Sequence, residues 1–113
     1  MKDFILLNYV ENEKTYSGNL ERNEFLEDMK YVRDRYLDNN ENAKRLIEII
    51  PTVTELTINN DRNETQDVPI VFFKKYNEAG EEVESGLSIL RNHTIIWGFL
   101  MRYCCDVKEA QKE

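Results

Sequence analysis

Residues 3–10 read DFILLNYV, a stretch that is apolar from Phe4 to Val10 except at Asn8 and is followed at once by the polar run ENEK. A run of this length, bounded by polar residues, suits a strand better than a helix. Side chains alternate across a strand, so Phe4, Leu6 and Val10 point one way and Ile5, Leu7 and Tyr9 the other. Both faces are apolar, which predicts an interior strand covered on both sides.

Working outward from that strand, the segment ENEKTYSGN offers a short return strand through Thr15 and Tyr16. Asn19 is a good N-cap for a following helix, with Glu21 and Glu24 in its first turns. Phe25, Met29, Val32 and Tyr36 then recur at helical spacing as one apolar stripe. Asp38, Asn39 and Asn40 break this helix and cap the next, in which Ala43, Leu46, Ile47 and Ile50 face inward and which Pro51 ends. Residues 53–58 read as a strand with Leu56 and Ile58 inward and Glu55 and Thr57 outward. After the polar loop NNDRNETQD, residues 69–76 (PIVFFKKY) pair with residues 82–90 (EVESGLSIL) across a turn containing Gly80. The register places Lys74 opposite Glu84 and Phe72 opposite Gly86, with Val71, Phe73, Val83, Leu87 and Ile89 on one face. Asn92 caps a last helix carrying two apolar stripes: Ile96, Phe99, Leu100 and Tyr103, and beside it Thr94, Trp97, Met101 and Cys104. From about residue 106 the chain is polar and is expected to fray.

These elements predict one α+β domain over residues 1–113. Its sheet is small and mostly antiparallel, of about four strands, with two or three helices packed on it.

The composition limits the function. The chain is 41% hydrophobic, enough for an interior, and 33% charged, above the roughly 25% usual for such domains. Its formal net charge is -7, negative in both halves of the chain, with no basic patch. Direct binding to nucleic acid is therefore not expected, whereas a basic protein surface is a natural partner. The start of the chain lacks the charge pattern and the longer apolar stretch of a signal peptide, and no run approaches the ~20 apolar residues of a membrane span. Adjacent Cys104 and Cys105 cannot close the loops of a disulfide framework. A cytoplasmic protein is the expectation.

Motifs for chemistry are few. His93 is the only histidine, and on one helix it stands about three turns, roughly 16 Å, from Cys104 and Cys105, too far for a nucleophilic pair. The neighbouring cysteines lack redox or zinc spacing. The loop containing Asp61, Glu64 and Asp67 superficially suggests calcium but has neither the glycine nor the glutamate of that rhythm. No glycine-rich phosphate loop is present. No metal or cofactor is implied, and catalysis is not expected.

Two features remain. Glu78, Glu81, Glu82 and Glu84 crowd the hairpin tip and its return strand without a base, giving a local charge of -4, and Asp61, Glu64 and Asp67 add to the preceding loop. If both loops leave the same end of the sheet, they form one acidic lobe. Trp97 and Met101, four apart on the last helix, are residue types that anchor interfaces. The leading reading is a non-catalytic acidic protein-binding module whose carboxylates, with Trp97 and Met101, occupy a basic surface such as the nucleic-acid groove of a partner enzyme. In size and charge, though by no motif, the chain resembles phage-borne inhibitors of host defence nucleases, including anti-CRISPR proteins. One alternative is a homo-oligomeric assembly subunit, for instance a homodimer, packed through the apolar face of the last helix. Another is a small carboxylate enzyme or ligand-binding protein using Tyr9, Tyr16 or Tyr103.

Overall fold

A computed structural model describes residues 3–61, 70–76, 81–88 and 94–111. The chain runs β1 (Phe4–Glu11), β2 (Lys14–Glu21), α1 (Arg22–Tyr36), α2 (Glu41–Ile49), β3 (Glu55–Asn59), β4 (Ile70–Tyr76), β5 (Glu82–Ser88) and α3 (Thr94–Ala110). Among the described residues the fold is α+β, with three helices on a mixed sheet of order β2-β1-β3-β4-β5. The described residues form five strands where about four were expected, because the loosely defined return strand is eight residues long.

One half of the sheet is the unit β2-β1-β3, with β2 at the edge. β1 and β2 form an antiparallel hairpin, Glu11 opposite Lys14 and Ile5 opposite Leu20. Its two-residue turn holds Asn12 and Glu13 at φ 53° and 64°, the left-handed pair that matches the twist of a tight hairpin. β3 then returns beside β1 in parallel, Leu7 opposite Leu56 and Tyr9 opposite Ile58. The intervening α1 and α2 provide the long crossover that a parallel pair requires. β4 and β5 continue the sheet antiparallel. Lys74 lies opposite Glu84, Phe72 opposite Gly86 and Val71 opposite Leu87, the register read from the sequence.

Three local expectations need correction. Asn19 does not start α1; it lies in β2, and Glu21 is the N-cap, its side chain accepting the Glu24 backbone N–H at 2.7 Å. The β1–β2 ladder accounts for the shift, since the Arg22 N–H still donates to the Asp3 carbonyl at 2.8 Å. Tyr36 is exposed rather than part of the core stripe, which ends on Phe25, Met29 and Leu37. The final turns also do not fray from about residue 106. α3 continues to Ala110, Val107 is buried, and Lys108 donates to Glu11 at 3.0 Å.

Among the described residues the buried core lies on one side of the sheet. Ile5, Leu7, Tyr9, Leu20, Leu56 and Ile58 are buried there beneath Phe25 and Met29 of α1, Ala43 and Leu46 of α2, and Ile96, Leu100 and Cys104 of α3. Phe25 and Phe99 stack with ring centroids 5.4 Å apart, and Tyr103 meets both rings edge-on at 4.9 and 5.3 Å. The expectation that β1 is covered on both faces is overturned: Phe4 and Leu6, on the opposite face, are 48% and 39% exposed. Polar residues break up this open face, where the Ser17 hydroxyl donates to Asn8 Oδ1 at 2.6 Å and Asn8 Nδ2 donates to Glu55.

Arg22, the first residue of α1, ties the start of the sheet to the end of α2. Its Nη1 donates to the carbonyls of Ile50 and Val53, each at 2.6 Å, and its Nε to Asp3 at 2.7 Å. A cation at the C-terminal end of α2 also suits the helix dipole.

Candidate functional site

The sheet order separates the carboxylates singled out from the sequence. β3 and β4 are antiparallel, and so are β4 and β5. Two successive reversals leave from opposite ends of a sheet, so Asp61, just past β3, and Glu81 and Glu82, at the start of β5, lie at opposite ends. Among the described residues, Asp61 therefore does not share one lobe with Glu81 and Glu82.

Asp61 is also engaged within the fold. Its two carboxylate oxygens accept the backbone N–H groups of Asn12 and Glu13 at 2.6 and 3.0 Å. It thereby satisfies donors that the tight left-handed turn leaves unpaired. Glu64, Asp67, Glu78 and His93 lie outside the described residues. Glu81 is exposed, and Glu82 and Glu84 take register positions opposite Tyr76 and Lys74. Trp97 and Met101 are half-buried and pack against the core from α3.

The groove missed by the sequence reading lies between β2, at one edge of the sheet, and α3. It encloses about 320 Å³. Residues 17–20 of β2 form one wall, and Tyr103, Asp106, Val107 and Ala110, one helical stripe of α3, form the other. Glu21 and Glu24, at the start of α1, close one end. Gly18 permits the close approach of the two walls, because a β-carbon there would stand 2.9 Å from Val107 Cγ2.

The rim carries Glu21, Glu24 and Asp106, and no lysine, arginine or histidine lines the groove among the described residues. The start of α1 offsets about half a unit charge through its dipole, leaving the groove negative. Nearby cations are already paired. Arg102 Nη2 donates to Asp28 at 2.8 Å and to the Tyr103 hydroxyl at 2.9 Å, and Lys108 pairs with Glu11. The Tyr103 hydroxyl itself donates to Asp28. Burial, then the Asp28 carboxylate, raises its pKa far above the ordinary phenol range, so this phenol stays protonated and fixed in the wall.

The backbone of β2 adds a second property. In the two-residue hairpin, Glu11 and Lys14 exchange ladder hydrogen bonds, and this pattern alternates along the strand. Thr15, Ser17 and Asn19 therefore turn their N–H and C=O groups outward. The opposite edge of β1 agrees: Leu6 donates to the Thr54 carbonyl at 3.1 Å, and the Val10 carbonyl accepts from Asn60 at 2.8 Å, both toward β3. On the outer edge, Ser17 N–H is met by Gln111 Oε1 at 2.9 Å. No hydrogen bond of the outward N–H groups of Thr15 and Asn19 is found among the described residues.

Cys104 is buried, and burial, with a smaller contribution from Cys105, pushes its thiol up to about 12. Tyr9 is buried with its hydroxyl accepting from Asn60 at 3.0 Å, and only Tyr103 of the three tyrosines considered lines the groove. Among the described residues no group of three or more histidine, cysteine or acidic side chains could hold a metal ion. No helix in them is long and apolar enough to cross a membrane. Comparison with known proteins found no matching family model, no matching curated protein and no matching solved structure.

Proposed function

We propose that this chain is a non-catalytic acidic protein-binding module that engages a basic surface of a partner, such as the nucleic-acid groove of an enzyme. The observation that carries the reading is the β2–α3 groove, with three carboxylates on its rim and no cation lining it among the described residues. A net charge of -7 favours encounter with a basic partner and disfavours nucleic acid itself. Several of the chain's own cations are committed elsewhere: Arg22 to Asp3 and two carbonyls, Arg33 to Asp34, Arg102 to Asp28 and Lys108 to Glu11. Glu82 and Glu84 belong to β5, the opposite edge strand of the sheet, with Glu81 just before it.

The test is affinity capture with the immobilised chain at low and high salt, comparing the native sequence with two charge reversals. One is Glu24→Lys with Asp106→Lys in the groove; the other is Glu81→Lys with Glu82→Lys. A captured basic partner should be released by salt, and at least one reversal should weaken its binding by about tenfold or more. A partner held equally by all three proteins and indifferent to salt refutes the reading.

A further inference from the structure

We propose that the outer edge of β2 receives an extended, basic segment of the partner as an added strand, its alternate side chains entering the groove beside α3. The inference rests on the acidic-module reading above and specifies how binding occurs.

Three observations converge on this strand. β2 is an edge strand whose outward N–H groups at Thr15 and Asn19 have no hydrogen-bond partner among the described residues. Such an edge is a template for a further strand. At Ser17, between them, the Gln111 carboxamide oxygen already sits where the carbonyl of an added strand would accept, 2.9 Å from the N–H. This side chain is exposed and comes from the residue after α3, so it can be displaced.

The groove then decides the composition of the added strand. Its walls offer apolar contact at Leu20, Tyr103, Val107 and Ala110, and its rim offers carboxylates at Glu21, Glu24 and Asp106. Side chains of an added strand alternate between the two faces of the sheet. Those on the helix side therefore meet an apolar floor and an anionic rim, which suits lysine or arginine with its long aliphatic stem. Thr15 to Asn19 spans about 17 Å of extended backbone, enough for a segment of five or six residues. A second copy of this chain is disfavoured as occupant, because two such edges would bring two anionic rims together.

The probe is a capped octapeptide of alternating lysine and valine, titrated into the full chain while backbone amide resonances are followed. Two control peptides are used: one with glutamate in place of lysine, and one with the same sequence N-methylated at alternate residues, which removes donors along one edge. Shifts should concentrate at residues 15–21 and 103–110. N-methylation should weaken binding about tenfold, and the glutamate peptide should not bind measurably. Asn19→Pro removes an outward donor without touching the β1 ladder, and should weaken the lysine peptide similarly. Asp106→Lys, on the exposed side of α3, should weaken it several-fold and remove part of its salt dependence.

Shifts confined to residues 81–88, or equal affinity for the methylated and unmethylated peptides, would overturn strand addition while leaving the acidic-module reading standing. Failure of the lysine peptide to bind anywhere overturns both. A dimer in sedimentation that Asn19→Pro dissolves would assign the edge to a second copy and likewise overturn the proposal.

Discussion

Gly18 is the position where a single methyl group tests the packing of α3 on the sheet. An alanine β-carbon there would stand 2.9 Å from Val107 Cγ2, 3.5 Å from Cγ1 and 3.7 Å from Cβ. Carbon atoms normally rest about 3.5–4.0 Å apart, so the nearest contact is short by more than half an ångström. Val107 is buried and stiff at χ1, so the clash is relieved chiefly by moving α3 away from β2. Overpacking of this kind costs about 1–3 kcal/mol. The lost freedom of the unfolded chain returns about 0.4–1 kcal/mol. Gly18→Ala should therefore destabilise by about 1–2 kcal/mol, a fall in Tm of roughly 4–8 °C for a chain of this size. Urea unfolding of Gly18→Ala, Val107→Ala and the double variant checks the cause as well as the size. Val107→Ala removes both Cγ atoms and leaves only the ordinary 3.7 Å contact. In that background Gly18→Ala should be neutral or slightly stabilising. Equal destabilisation in both backgrounds would refute the close approach of α3 over β2.

Other outcomes follow from the same contacts. Arg22→Ala should cost about 3 kcal/mol in urea unfolding, because the carbonyls of Ile50 and Val53 lose a charged donor. Arg22→Lys should cost about half that, since an ammonium on a flexible stem replaces the planar fork. An aromatic disulfide reagent should titrate one thiol in the native protein and two in denaturant, because Cys105 is exposed while Cys104 is buried with its pKa raised to about 12; rapid native reaction of both would contradict that burial. Arg22 holds the Asp3 carboxyl below its usual range, chiefly by hydrogen bonding, and Lys108 does the same to Glu11. Groups depressed in this way contribute stability above the unfolded carboxylate range and lose it as pH falls through the folded values. The Lys108 ammonium is raised by Glu11, so its share persists until pH rises through its folded value. The double variant Asp3→Asn with Glu11→Gln should thus be less stable than the native chain at neutral pH, and the gap should narrow as pH falls through the folded carboxylate values; a gap that stays constant as the carboxylates are protonated would contradict the assignment.

The elements that could be read from the sequence are those whose instructions lie within a few residues. The α2 cap is local, with the Asn40 side chain accepting the Ala43 N–H at 3.0 Å. So are the inward faces of α2 and β3, where Ala43, Leu46, Leu56 and Ile58 are buried as their spacing predicts. The β4–β5 register was also legible, because a short turn leaves few alternatives. β2 was harder. Its sequence KTYSGNLE is polar for a strand, and Gly18 weakens the pattern. Its buried side, Tyr16, Gly18 and Leu20, has meaning only once α3 is laid over it. The candidate groove was invisible for the same reason: its walls come from residues 17–24 and 103–110, and no motif marks an edge.

From the order of its residues alone, this chain determines the described helices, β1, β3, β4 and β5, the hairpin register of β4 and β5, and a strong surplus of carboxylates. Periodicity, caps and turns encode these over short distances. Only the tertiary structure decides that β1 pairs in parallel with β3, that helices cover one face of the sheet, and that Asp61 closes a turn 49 residues away. The same holds for the meeting of Gln111 with Ser17, 94 residues earlier. Contacts at such separations depend on which strands become neighbours, and that choice follows from the burial of the whole apolar surface at once rather than from any local stretch of chain.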